Sequence, residues 1–523
     1  MSSAITPPAD GTPIDVAPQV KHSSTSRQIR GSSLMLAGRA ISMASNALIQ
    51  IFIIRYLTKP EYGALALALS MVNIGQLVVS LGLDKAVSRF VPIYHEQQDY
   101  NKLFGTIILA VGTILSLGVV LILGVMTFQG LLARTLVSDQ LARSLLMILI
   151  VLAPIQAIDE VLVSLFAIFT GPRAIFFRRH VAAPGLRMAV VLVLILLQQD
   201  VFFLAIGYLT TAAFVIPIYA MILVNVLHKQ GLFLHFDRRK VSLPAAAIFA
   251  FTIPLLSTDL LYVLMESMDA VLLGYFRNTS DIATFRSVQT SAGLNQLAMM
   301  SFQTLFTPMA ARLFARKSYE EVNDLYWQTA IWMAVISFPI FAVTFALAQP
   351  VTVLVYGQKY ASAAPVLALL SLGYYFSTAL GFNGLTIRVF GKMRYVVIIN
   401  VMAAFVNLGI NLLLIPAYGA LGAAIGTCAT MIVHNLLKQL GLRLSTTVNF
   451  FEPRYTKIYL SIALSSVGLV LIQQLISAHI YISLVLVMLT SMFVVGLNRK
   501  SLKVAQTFPE LLRFPLVRRF LGD

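Results

Sequence analysis

From residue 32 to residue 497 the chain is a succession of apolar runs, separated by short polar punctuation. A helix needs about 20 mostly apolar residues to cross a bilayer, and that length reads off fourteen times. The expected spans are 32–55, 62–83, 104–128, 143–168, 181–198, 201–226, 243–273, 281–307, 327–348, 362–385, 395–415, 419–440, 455–477 and 480–497. Mean hydropathy is +0.84; 58% of residues are hydrophobic and 11% are charged. Soluble domains carry roughly 25% charged residues, so a water-soluble globule is excluded. The expected fold class is an all-α polytopic membrane protein.

Charge orients the spans. With the N-terminus inside, the inner segments hold 29 Lys and Arg. The outer segments hold seven: Arg55, Lys59, Arg134, Arg143, Arg277, Arg286 and Lys359. Arg39 and Arg187 fall within helices. Inner enrichment of this size follows the positive-inside rule. It predicts a multi-pass protein of the plasma (inner) membrane with both termini cytoplasmic, and it accounts for the net charge of +17 without a nucleic-acid partner. Residues 1–30 are Pro/Ser/Thr-rich and read as a disordered tail, not a cleavable signal peptide. Cys428 is the lone cysteine, which rules out a disulfide framework within one chain. The basic tail 499–523 has two readings, an amphipathic segment along the inner interface and a solvated tail.

An internal repeat appears at an offset of 219 residues. RYLTKPEYG (55–63) falls on GYFRNTSDI (274–282), DYNKLFG (99–105) on SYEEVND (318–324), and AIGYLTT (205–211) on AIGTCAT (424–430). With one further residue, TGPRA (170–174) falls on FGKMR (390–394). Six helices per repeat place both halves in the membrane with the same orientation, an arrangement with the substrate between two lobes. The expected organisation is a lobe of residues 31–228, a cytoplasmic linker 229–242, a second lobe 243–441, two added helices in 442–498, and the tail.

The most costly residues lie in LLSTDLLYVLMESMDAVLLGYF (255–276). A charge at mid-bilayer costs roughly 2.5–3.5 kcal/mol on insertion scales. Asp259, Glu266 and Asp269 fall within roughly 80° of one another at about 100° per residue, a stripe expected to face a cavity. Shifting by 220 places Arg39 on Asp259 and Asn46 on Glu266. Arg39 and Asp259 are therefore expected to pair across the cleft and to separate when an anionic headgroup engages Arg39, whose planar fork suits phosphate oxygens. Snorkelling of Arg39 to lipid headgroups is the competing reading, and it stands equally for Arg187. Asp269 has a second reading, pairing within its own lobe with Arg277 or Arg286. Of the adjacent Asp159 and Glu160, one is expected to be a structural carboxylate. Asp84 and Lys85 read first as interface anchors. Glu266, with no basic neighbour in its helix, leads as the carrier of a driving H+ or Na+; membrane potential alone is the other source of drive.

IIRYLTKPEYGALALALSMV, LGLDKAVSRFVPIY and ESMDAVLLGYF resemble the polysaccharide-exporting, O-antigen (Wzx-type) flippases. That family lies within the multidrug/oligosaccharidyl-lipid/polysaccharide exporter superfamily. The resemblance implies two pseudo-symmetric six-helix lobes in a V-shaped, MATE-like fold with two C-terminal helices. It implies a transporter, not an enzyme, that moves a polyprenyl-diphosphate-linked oligosaccharide to the outer leaflet by alternating access. Polymerase or glycosyltransferase partners belong to the same implication. The serine-glycine-asparagine signature of peptidoglycan-precursor flippases is not evident in the first helix. Arg39, Asn46, Arg187 and Arg286 are the expected substrate contacts, and Asp259, Glu266 and Asp269 the gating or ion-coupling groups. Neither a metal site nor a cofactor is expected, because the seven histidines are scattered. The alternatives are a cation-coupled multidrug antiporter and, less favoured, a membrane polysaccharide polymerase or ligase; the outer loops are short for presenting sugars to catalytic groups.

Overall fold

The computed structural model describes Gly38 and residues 41–130, 139–170, 176–237, 239–476 and 479–502. Among these residues all regular structure is helical. The first half runs α1 (Ile41–Tyr56), α2 (Lys59–Ser80), α3 (Leu83–Glu96), α4 (Tyr100–Thr127), α5 (Gln140–Leu149) and α6 (Leu152–Phe169). A π-helical turn, Phe177–Ala182, then leads into α7 (Ala183–Leu196), and α8 (Val201–Lys229) completes the half. The second half runs α9 (Ala245–Phe276), α10 (Thr279–Gly293), α11 (Leu297–Ala315), α12 (Tyr319–Ala346), α13 (Ala348–Tyr356), α14 (Ala364–Ala379), α15 (Asn383–Val389), α16 (Met393–Tyr418) and α17 (Ala420–Ser445). The hairpin α18 (Thr456–Ile476) and α19 (Ile480–Leu497) follows.

Eleven helical stretches among the described residues are long and apolar enough to span a membrane. The expected spans 32–55, 243–273 and 281–307 are not among them. The first two are described only in part, and the third contains the polar run TSDIATFRSVQTSAG. A helix too polar for lipid at mid-membrane must face protein or water.

Local chemistry repeats along with the pattern. Thr58 caps α2 by accepting from the Glu61 amide, and Glu61 answers at the Thr58 amide to complete a capping box. Asn278 caps α10 the same way through the Asp281 amide. Helices α4 and α12 are both 28 residues long, beginning at Tyr100 and Tyr319. The second span of each half is broken. Leu81 and Gly82 are left-handed (φ 45° and 69°) between α2 and α3, and a 3-10 turn, Leu294–Gln296, separates α10 from α11.

The halves meet through equivalent helices, α2 against α10, as a two-fold relation between them requires. The terminal hairpin covers α12; 72% of that span is buried, against 17% for its counterpart α4. Leu115, Val119, Val120 and Leu123 of α4 are exposed accordingly, which suits a face that lipid would cover. One element departs from the expected division at residue 243. The first turns of α9 pack on the first half: Ile248 joins its core cluster, and Phe251 stacks edge-on with Phe90 at 5.7 Å. Farther along, the same helix packs on α2 and α3 of the first half as well as on α16 and α10 of its own.

Candidate functional site: the interface between the halves

At the end of the molecule carrying Leu57, cations from each half cap helix ends of the other. Arg55 Nε donates to the Val355 carbonyl at 2.8 Å, and a second guanidinium nitrogen donates to Leu354. In return Lys359 Nζ donates to the carbonyls of Leu57 (2.6 Å) and Arg55 (2.9 Å). Unpaired carbonyls at a helix C-terminus carry partial negative charge, so a cation there is favourable. Lys59 reaches Ser362 Oγ at 3.1 Å and lies over the Tyr360 ring. Just inside, a Cβ at Gly63 would overlap the Thr279 carbonyl, so glycine is what lets α2 and α10 touch.

Deeper in the interface Gln50 of α1 donates to Tyr62 Oη at 3.0 Å and accepts from Thr290 of α10. Arg286, one of the expected substrate contacts, donates to Ser70 Oγ across the halves at 2.9 Å and to Gln289 Oε1 at 2.7 Å. Asn46, one turn before Gln50 on the same face of α1, is exposed, as is Arg187 on α7. Along α11 an open groove of about 540 Å³ is lined by Met300, Gln303, Thr304, Thr307, Pro308 and Ala311. Hydroxyls, an amide and apolar groups make that face polar yet uncharged.

The acidic helix resolves into separate roles. Asp259 forms an ion pair with Lys85 of α3, which the sequence reading had placed as an interface anchor. Both side chains keep partial contact with solvent. Arg39, the expected partner, lies outside the described residues. Asp269 is 1% exposed and accepts from Asn411 Nδ2 at 2.6 Å and Thr427 Oγ1 at 2.9 Å. Asn411 also donates to Asn407 Oδ1 at 3.2 Å. Of the expected partners, Arg277 donates instead to the Ile415 and Ala417 carbonyls at the end of α16, while Arg286, held by Ser70 and Gln289, is near enough to attract the Asp269 carboxylate. The single cavity-facing stripe is thus corrected. Ten residues separate Asp259 from Asp269, about 15 Å along the axis, and a turn of roughly 80° suffices to aim one at α3 and the other at α16 and α17. Of Glu266 only the helical backbone is described.

The adjacent acids of α6 also divide. Asp159 pairs with Arg178 of the π-helical turn, whose guanidinium lies 4.3 Å from the Tyr219 ring centre. Glu160 accepts from Gln76 Nε2 of α2 at 3.0 Å. Sequence reasoning missed Lys85, Asn411 and Thr427 as partners of the two aspartates. LGLDKAVSRF held the signal for Lys85, a cation set just inside a helix break, and Asn407 and Asn411 are polar residues one helical turn apart in an apolar run.

Residues 52–365 match the model of the family described as "Polysaccharide biosynthesis protein". The chain belongs to that family. An uncharacterized membrane protein of Methanocaldococcus jannaschii is 27% identical over 231 residues, 43% of this chain; the match spans 44% of that relative's length. Among solved structures the family member is similar to the lipid II flippase MurJ in an inward closed conformation. The TM-score is 0.69 and the identity 14%, over 91% of this chain and 99% of that one. It is also similar to an inward-facing multidrug resistance MATE family transporter of the MOP superfamily. There the TM-score is 0.62 and the identity 16%, over 77% of this chain and 94% of that one. At these identities the likeness establishes the fold.

Proposed function

We propose that this family member is a flippase. It moves a polyprenyl-diphosphate-linked oligosaccharide from the cytoplasmic to the outer leaflet by alternating access, in cell-surface polysaccharide synthesis. The observation that carries the reading is the contact that joins the halves at one end, set beside an open, uncharged polar face on α11. Reciprocal capping by Arg55 and Lys359 seals the Leu57 end, while the groove along α11 stays open. In the proposed cycle, diphosphate charge draws Lys85 away from Asp259 and meets Arg39, Arg187 and Arg286, while Asn46 and the uncharged face of α11 serve the sugars. Neutral hydroxyl and amide groups suit sugar hydroxyls, whereas a drug-cation cleft would favour carboxylates and aromatics.

In this reading the Leu57 end faces outward, as the charge distribution predicts, and Asp269, with Glu266 on the same helix, carries the coupling ion, H+ or Na+. A carboxylate enclosed by the oxygens and amides of Asn411 and Thr427 is also what favours the second reading, a MATE-type cation antiporter. Reconstitution tests the choice. Proteoliposomes holding a labelled polyprenyl-diphosphate oligosaccharide should lose its inner-leaflet pool only when the protein is present. A protein that leaves that lipid in place but exchanges a cationic dye for H+ or Na+ belongs to the second reading.

A further inference from the structure

A cluster of cations lies within the second half, away from the contacts between the halves. The stem of Lys438, on α17, runs over Gly384 of α15, where a Cβ would stand 3.5 Å from its Cε and 3.7 Å from its Nζ. Arg388 follows Gly384 by one helical turn and is exposed. Its guanidinium and the Lys438 ammonium are near enough to repel. One turn before Lys438, His434 Nε2 donates to Asn400 Oδ1 of α16 at 2.9 Å. Among the described residues no carboxylate pairs with Arg388, Lys438 or His434.

The repeat sharpens that observation. Lys438 occupies in α17 the place that Tyr219, 219 residues earlier, occupies in α8. In the first half a cation also sits at this junction. Arg178 is buried against the rings of Tyr219 and Phe166, and Asp159 neutralises it. The second half brings the cations together, and among the described residues no acid is paired with them. Two like charges held together in a partly desolvated place repel strongly, and withdrawing either from water is costly unless it is paired. Lys438 lies seven residues before the end of α17, roughly 10 Å along the helix. Leu436 and Leu440 beside it are exposed, so an apolar chain has a surface to follow.

We infer that Arg388 and Lys438, with Asn400 and His434 beside them, form an anion site that takes a phosphate group within the second half, separate from the cleft between the halves. Arg388 contributes a planar donor fork and Lys438 a mobile point charge, the pairing that phosphate oxygens accept best. The site does not depend on what crosses the cleft, and stands or falls apart from the flippase reading.

The test uses the full chain in nanodiscs of phosphatidylcholine, with two probes: inorganic diphosphate, radiolabelled, and phosphatidic acid doped into the discs. Retained lipid is counted by native mass spectrometry. The double variant R388Q/K438Q should retain at least about tenfold less probe than the unaltered protein, with R388K/K438R close to it and Lys240→Gln unchanged. Retention of phosphatidic acid alone assigns the site to a lipid headgroup; binding of diphosphate assigns it to a free anion. In the unaltered protein the bound probe should also shield Lys438 from an amine-reactive label, which needs no folded variant. Failure of both probes to bind, or equal binding by R388Q/K438Q, overturns the site.

Discussion

The ammonium of Lys359 stands 2.6 Å from the carbonyl oxygen of Leu57, so a cation of the second half closes the last turn of the first helix of the first half. Arg55 makes the converse contact on Val355. Such charge-assisted bonds contribute about 1.5–3 kcal/mol each; the Leu57 bond is part-buried and its companions are exposed, so the lower end applies. Lys359→Met should therefore shift the balance toward an open Leu57 end by roughly tenfold. Thr290→Cys, which sits just inside that seal, reports it in a background where Cys428 is replaced by serine. Maleimide applied from the Leu57 side should label the cysteine faster once Lys359 is gone. Unchanged labelling would remove the latch.

Gly63 and Gly105 make opposed predictions from the same kind of contact. A Cβ at Gly63 collides with the Thr279 carbonyl, and one at Gly105 with the Ser242 carbonyl in the linker. Neither obstacle is a side chain able to rotate away. Gly63→Ala should part α2 from α10 and raise the same Thr290→Cys labelling. Gly105→Ala should leave that labelling alone and displace the linker, read as faster proteolysis between residues 236 and 244. Identical behaviour of the two variants contradicts the assignment of these contacts to different ends.

The Lys85–Asp259 ion pair predicts a charge-swap result. Asp259→Lys places two ammoniums together and should reduce transport by more than about tenfold, because like charges at this distance repel by over a kcal/mol even in a solvated cleft. Adding Lys85→Asp should restore a substantial part of it. No recovery in the double variant, with both proteins folded, would mean that the pair is incidental.

Asp269→Asn separates structure from coupling. The amide keeps the shape, and Thr427 and Asn411 can turn to meet it, so thermal stability should change little. Uptake driven by an imposed ion gradient should lose that dependence. Asn411→Leu leaves the buried carboxylate short of a donor and should lower stability by about 1–3 kcal/mol, seen as a lower unfolding temperature in detergent. A coupled Asp269→Asn protein would move the ion elsewhere.

How much of this was legible in the sequence varies with the physics involved. Eleven of the fourteen expected spans were, among the described residues, because hydropathy depends on composition over twenty residues and not on neighbours. The repeat was legible through Tyr100 and Tyr319, which stand at the first residues of α4 and α12. Partners were not. A helical wheel locates Asp259 and Asp269 to within a face, but only packing decides whether α3 or α16 lies against that face. The resemblance supplied the family and the fold; the contacts of Lys85, Asn411 and Lys438 needed coordinates.

Helix α9 touches both halves: Ile248 lies in the first-half core, Asp259 pairs with Lys85, and Asp269 is held by Asn411 and Thr427. The two bodies therefore share a strut and cannot slide past each other as free plates. Whenever the molecule exchanges which mouth is open, this rod must flex near Pro254, where the backbone already lacks a hydrogen bond. Under the proposed alternating access, the stiffness of that one joint would set the pace of turnover.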